Sequence, residues 1–151
     1  MENVNLASMN RYALHTYAGC SLPSSESSSF QSGTISSTNC NDTVGNQGCG
    51  IGDSSPNSFG ENFAKNGGGV FAALYDTNGI KMWFFERAQV PSDIKDGSPT
   101  PGNWSTPSAN YPASSCDPTK FFDPQSLTLV SSHLSCVLRF SRFDDFPETG
   151  H

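Results

Sequence analysis

Charge is scarce in this chain. Asp, Glu, Lys and Arg make up 15% of its 151 residues, against about 25% in an ordinary soluble domain. Only 8 are Lys or Arg, and they are scattered. A phosphate-binding surface needs clustered positive charge, so nucleic acid is not an expected partner. Long apolar runs are missing as well. Nothing approaches the ~20 consecutive apolar residues of a membrane-spanning helix, so no membrane partner is expected. The amino end, Met1-Glu2-Asn3-Val4-Asn5, has no apolar block and reads as no signal peptide. Helical periodicity, heptads and internal repeats are also absent. None of the cysteines has the short paired spacing of a zinc site. No metal or other cofactor is expected.

Serine, glycine, proline and asparagine fill the space that charge leaves. That balance suits short strands joined by long turns, and the length suits one domain with a real core. The net charge of −6 and a pI near 4.8 fit a neutral sugar substrate, and equally any solvated surface. Five cysteines, Cys20, Cys40, Cys49, Cys116 and Cys136, read as a secreted disulfide framework with one left over, its connectivity open. The competing reading is buried thiols in a cytosolic protein. Two glycosylation acceptor triplets, Asn41-Asp42-Thr43 and Asn103-Trp104-Ser105, fit secretion, although such triplets also arise by chance. A secreted composition without a secreted protein's start is a first sign of a fragment.

Asn10 to Thr16 alternates Tyr12, Leu14 and Thr16 against Arg11, Ala13 and His15, the period of a half-buried strand. Cys20 to Asp53 reads as loop, low in complexity at 24–29 and punctuated by Gly48-Cys49-Gly50. Ser58 to Lys65 suggests one helical turn. Val70–Tyr75 and Ile80–Arg87 are the clearest strands, and Asn78-Gly79 suits the tight turn of a hairpin. In the second of these strands Ile80, Met82 and Phe84 share one face, and Lys81, Trp83 and Phe85 the other. Both faces are largely apolar, so two stacked antiparallel sheets are expected. Val90 to Pro118 reads as a surface crossing, and Ser126 to Val130 as a last strand.

Several blocks then occur in a telling order: Glu2-Asn3-Val4-Asn5; Leu14-His15-Thr16 with Gly19-Cys20; Gly48-Cys49-Gly50 with Asp53-Ser54-Ser55-Pro56-Asn57-Ser58-Phe59-Gly60; Asn66-Gly67-Gly68-Gly69-Val70-Phe71-Ala72 with the hairpin and Val90-Pro91-Ser92-Asp93-Ile94; Gly97-Ser98-Pro99 with Asn103-Trp104-Ser105-Thr106-Pro107; and Cys116-Asp117 with Phe122 and Gln125. Together they resemble the fungal family 16 glycoside hydrolases, the endo-β-1,3(4)-glucanases or laminarinases. The resemblance implies an all-β fold, an antiparallel β-sandwich of jelly-roll type, here truncated, with residues 1–130 as a partial catalytic domain. Residues 131–151 are expected to be a poorly ordered tail outside the family pattern, an unspliced intron or a shifted frame. The resemblance also implies an extracellular parent, a monomer, and β-glucan as partner.

Retaining hydrolysis of β-glucan needs two carboxyls roughly 5–5.5 Å apart. The resemblance places them on one strand as Glu-x-Asp-x-x-Glu. A bulge must return the last Glu to the cleft side, because positions i and i+5 of a regular strand face opposite ways. Only that last Glu has a counterpart, Glu2, as acid/base. The nucleophile position would fall before Met1, so the 151 residues are expected to be inactive alone. The resemblance makes His15 a substrate- or carboxylate-binding residue; a strand-end or core histidine is the alternative. Trp104, in a loop, is the better stacking platform for a sugar ring; Trp83 is the other candidate, with a core role as its alternative. The triple glycine has no Lys-Ser/Thr after it and reads as a turn, not a phosphate cradle.

The chain departs from the pattern at Ala73-Leu74, Glu86 and Phe121, and the pattern ends after Leu129. Cys136 then reads as coincidental, leaving Cys116 without its usual partner. Three other readings stand beside the glucanase fragment. One is a hydrolase with a rebuilt carboxylate pair, Glu2 joined by Glu26, Asp53, Glu61 or Asp117. Another is a sugar-binding module without catalysis. The last is a disulfide-stapled structural protein.

Overall fold

The computed structural model describes residues 8–24, 30–43, 45 and 48–122. Glu2, Glu26, the strand expected at 126–130 and the 131–151 tail lie outside the described residues. The fold is the expected antiparallel sandwich, built from two three-stranded sheets. The first has the order β1 (Arg11–Leu14), β3 (Cys49–Gly52), β2 (Thr34–Ser37). The second runs β4 (Gly69–Asp76), β5 (Gly79–Glu86), β6 (Ala109–Pro112). Three short helices, α1 (Gly60–Lys65), α2 (Ser92–Lys95) and α3 (Pro118–Phe121), sit in the connections.

The main core lies between the sheets. Tyr12 and Ile51 enter it from the first, and Ile80, Ala109 and Tyr111 from the second. Strand β5 shows the two apolar faces its sequence requires. Ile80 and Met82 face this core, while Trp83 and Phe85 face a second cluster with Val90, Ile94 and Trp104 on the far side of the sheet. Helix α1 sets Phe63 against Phe71 and Phe84, with ring centroids 6.2 and 6.1 Å apart.

The hairpin pairs from Gly69↔Glu86 to Asp76↔Gly79, which shifts its turn by one residue from Asn78-Gly79 to Thr77-Asn78. Asp76 Oδ1 closes the turn by accepting the Asn78 N–H at 2.8 Å. Gly79 is needed for a different reason. Its φ is +139°, and a Cβ there would lie 2.3 Å from the Tyr111 carbonyl oxygen of β6.

Two stretches read as structureless contain strands. The Cys20–Asp53 segment holds β2 and β3, whose glycines and serines imitate a turn-rich loop. Within β3, Cys49 and Ile51 are fully buried. The Val90–Pro118 crossing holds β6, whose Ala109, Asn110 and Tyr111 are buried. Its Pro112 ends the strand, a position where a missing N–H is tolerated.

Cys116, expected to stand without its usual partner, does form a bridge. Cys20 bonds to Cys116 and Cys40 to Cys49. Between Cys20 and Cys116 lie the first loop, the β4–β5 hairpin and the crossing, so nothing in their spacing showed them meeting. The first bridge closes a separation of 96 residues and the second one of 9. In the chain-entropy view a loop near one hundred residues contributes about 4.7 kcal/mol, and one shorter than fifteen less than about 3 kcal/mol. The sulfurs of Cys20, Cys40 and Cys116 lie within 4.8 Å of one another. All three are committed to S–S bonds and offer no thiolate to a metal.

Candidate functional site

The outward face of the first sheet is polar and built on glycine. Cys49 and Ile51 point into the core, so the alternating Gly50 and Gly52 point out. Long side chains from the β1 side lie across them. A Cβ on Gly50 would sit 2.1 Å from Arg11 Nε, and one on Gly52 would sit 2.5 Å from Met9 Sδ. Beyond the strand end, a Cβ on Gly48 would meet the His15 ring at 3.0 Å and the Leu14 carbonyl at 2.3 Å. Gly50 and Gly52 of β3, with Gly48 just before it, are thus the floor on which Met9, Arg11 and His15 rest.

Two serines of β2 lock this layer. Arg11 donates from Nε to Ser36 Oγ at 3.2 Å and from Nη2 to Ser37 Oγ at 2.9 Å. Those hydroxyls donate in turn to the Gly50 carbonyl at 3.0 Å and the Gly48 carbonyl at 2.8 Å. Each hydroxyl accepts from the guanidinium and donates to the strand, which fixes the cation flat on the sheet. The result is a shelf of hydrogen-bonding groups with the half-buried His15 at one end.

The second feature is an aromatic cleft of about 520 Å³ beyond the second sheet, lined by Phe85, Asp93, Thr100, Asn103, Trp104 and Ser105 among others. Trp104 is half-buried and held on three sides. Its indole N–H donates to Asp93 Oδ2 at 2.8 Å. Its ring meets Trp83 at 5.1 Å and Phe85 at 5.4 Å, both nearly edge-on. Partial desolvation pulls the Asp93 pKa up. The N–H donors of Thr100, Trp104 and Ile94 outweigh it and hold the carboxyl below the ordinary aspartate value.

The predicted residues therefore divide. Trp83 and Trp104 come together, but Trp83 is 3% exposed and gives its N–H to the Ser105 carbonyl at 2.8 Å, a core position. His15 lies apart from both, since the whole second sheet intervenes between the β1 layer and the Trp104 cluster. Glu2 lies outside the described residues. The other carboxylates weighed as its partner hold local structure. Asp53 accepts from the buried Tyr12 hydroxyl and from the Ser55 N–H at 2.8 Å. Burial, then the Asp53 charge and hydrogen bond, hold the Tyr12 phenol well above its ordinary pKa. Glu61 pairs with Lys65 at 2.7 Å on the surface of α1. Asp117 caps α3, accepting from the Thr119 N–H at 2.9 Å and its hydroxyl at 2.7 Å. Glu86, one of the departures from the family pattern, ties two loops by accepting from Asn57 and Asn66 at 2.9 and 2.8 Å.

The family model for the XgeA-like catalytic GH16 domain matches residues 1–132. The chain belongs to glycoside hydrolase family 16. A probable glycosidase of Schizosaccharomyces pombe is 42% identical over 130 residues, covering 84% of this chain and 30% of that protein. A probable endo-1,3(4)-β-glucanase of Aspergillus fumigatus is 35% identical over 129 residues, covering 85% of this chain and 19% of that protein. Among solved structures, GH16 laminarinase 16A from Phanerochaete chrysosporium carries 6-O-glucosyl-laminaritriose in both donor and acceptor sites. It superposes with a TM-score of 0.74 at 39% identity, over 82% of this chain and 42% of that one. An elongating GH16 β-1,3-glucosyltransferase gives 0.72 at 36% identity, over 81% of this chain and 39% of that one. The chain thus spans under half the length of the GH16 relatives it matches.

Arg11, Ser36, Ser37 and Asp93 were not singled out by sequence. A signal existed for the first three. Gly48, Gly50 and Gly52 repeat with period two, and such a repeat marks a strand whose outer face is crossed by something else.

Proposed function

We propose that this chain is part of a retaining β-1,3(4)-glucanase, that glucan lies on the outward face of the first sheet beside His15, and that the 151 residues alone do not hydrolyse it. The observation that carries this reading is the glycine-floored polar shelf ending at His15, in a chain whose GH16 match includes Glu2. Neutral sugars are recognised by fixed hydrogen-bond groups on a surface that lets the chain approach closely. Retention requires a nucleophile to form the glycosyl-enzyme and an acid to protonate the leaving oxygen. Glu2 supplies the acid by resemblance, and His15 a hydrogen bond to a carboxylate or a sugar hydroxyl. The 151 residues contain no residue at the nucleophile position, five before Glu2. The parent protein is extracellular and monomeric in this reading.

Purified 151-residue protein should match a blank in a reducing-sugar assay on laminarin and lichenan, with Glu2→Gln changing nothing. It should still bind laminari-oligosaccharides in a calorimetric titration, and His15→Ala should weaken that binding. Turnover that disappears in Glu2→Gln would overturn the inactivity. A wild-type protein that binds no oligosaccharide would overturn the placement of glucan on this face. The glucosyltransferase neighbour supports a second outcome for the parent protein, transfer of the glycosyl unit to another sugar in place of water. Products longer than the substrate would identify it.

A further inference from the structure

We infer that Asn41 is an N-glycan acceptor and that Asn103, the other asparagine in an acceptor triplet, is not. The two triplets have the same formula but different geometry. In Asn41-Asp42-Thr43 the side-chain oxygen of Asn41 accepts twice from Thr43, from its N–H at 3.1 Å and from its hydroxyl at 2.8 Å, both at the solvent surface. Asn41 is half-buried, and the two Thr43 bonds occupy its side-chain oxygen and leave Nδ2 without a hydrogen bond to any described residue. The Thr43 hydroxyl is thus fixed beside the amide that would take the sugar; Asn103 is the more exposed of the two asparagines, so exposure alone does not separate the triplets. The β-branch of Thr43 restricts its χ1 and helps hold that hydroxyl.

Asn103-Trp104-Ser105 is arranged otherwise. Asn103 ends a 3-10 turn (Pro101–Asn103), with its N–H bonded to the Thr100 carbonyl at 3.0 Å. Neither the N–H nor the hydroxyl of Ser105 reaches its side chain. The middle residue, Trp104, is pinned by Asp93 and by two rings, and the Ser105 carbonyl is taken by Trp83. A sugar on Asn103 would also stand at the mouth of the aromatic cleft that this residue lines.

The Asn41–Thr43 side-chain hydrogen bonds are local, while the backbone beneath them is also tied to Thr16, by the Thr16↔Asn41 bridge and by the Asp42 N–H on the Thr16 carbonyl at 3.0 Å. The local pair can form in a chain still being translocated, whereas Trp104 is held by Asp93 and Trp83. The two disulfides fit an oxidising compartment in which this modification occurs. The donor is a lipid-pyrophosphate-linked oligosaccharide. Asn41 Nδ2 bonds to its anomeric carbon, the bond from that carbon to the pyrophosphate oxygen breaks, the lipid pyrophosphate leaves, and the amide loses one proton to solvent. No electron is gained or lost.

The inference rests on the extracellular reading. The full 151-residue chain, placed behind a cleavable host leader in yeast, separates the two questions, since the leader delivers it to the lumen whatever its native location. Wild type and Asn103→Gln should run as glycosylated species that an endoglycosidase shifts down. Asn41→Gln and Thr43→Ala should lack that shift, and Thr43→Ser should regain part of it. A glycan that persists in Asn41→Gln overturns the inference. So does an unglycosylated wild type in which peptide mapping finds both disulfides formed, and that result leaves the extracellular reading standing.

Discussion

The outward face of the first sheet and the far face of the second use opposite means to the same end. On the first, side chains are withheld. Glycines at 48, 50 and 52 leave a floor where Arg11, Met9 and His15 lie, with Arg11 tied by two serine hydroxyls. On the second, rings fill the space and hold one another edge-on, with Asp93 anchoring the outermost. The contrast shows that a sheet face can be ordered by what it lacks as well as by what it packs. It also predicts different failures: the aromatic face fails when volume is removed, and the glycine face when volume is added.

The largest effect should come from Trp83→Ala. Removing a buried indole costs about 3–5 kcal/mol, read as a lower midpoint in urea. The near-UV dichroism of Trp104 should fade with it. A loss below about 1 kcal/mol would mean that the second cluster carries little of the fold.

Next is Gly50→Val. The new side chain would displace the Arg11 guanidinium and break its hydrogen bonds to Ser36 and Ser37, each worth about 0.5–1.5 kcal/mol. Gly102→Ala is the control, because a Cβ there has no neighbour within 4 Å. It should stay within about 0.5 kcal/mol of wild type. Equal melting temperatures for Gly50→Val and Gly102→Ala would dissolve the contrast between the two faces.

The smallest effect is a pH dependence confined to the aromatic face. The folded Asp93 pKa is depressed, so its contribution is present above the ordinary aspartate pKa and is lost as pH falls through the lowered value. Trp104 emission should therefore shift in acid below the usual carboxylate range, and Asp93→Asn should flatten that step. A step of equal size in Asp93→Asn would assign it to another group.

How much of this was legible depended on side-chain contrast. The β4–β5 hairpin was plain because Trp83, Phe84 and Phe85 alternate against a two-residue turn. Strand β1 was plain for the same reason, through Tyr12 and Leu14. Strand β2 was hidden because its serines carry little hydrophobic period, and β3 because Cys49 and Ile51 alternate with glycines that also mark turns. Strand β6 was hidden between prolines. Of the candidate residues, the resemblance named His15 and the loop position named Trp104, but neither showed that the two lie apart. Period two places Trp83 and Phe85 on one face of β5, but only the sandwich decides which face looks toward β1.

The Cys20–Cys116 bridge turns most of the described chain into a covalent ring. A single protease cut anywhere between residues 20 and 116 opens the ring without dividing the molecule. Nicked protein should gain only one water and stay a single molecule until a reductant is added. Cleavage in the exposed stretch at 102–103 can therefore accumulate with no fragment released, and the history of such damage is written only under reducing conditions.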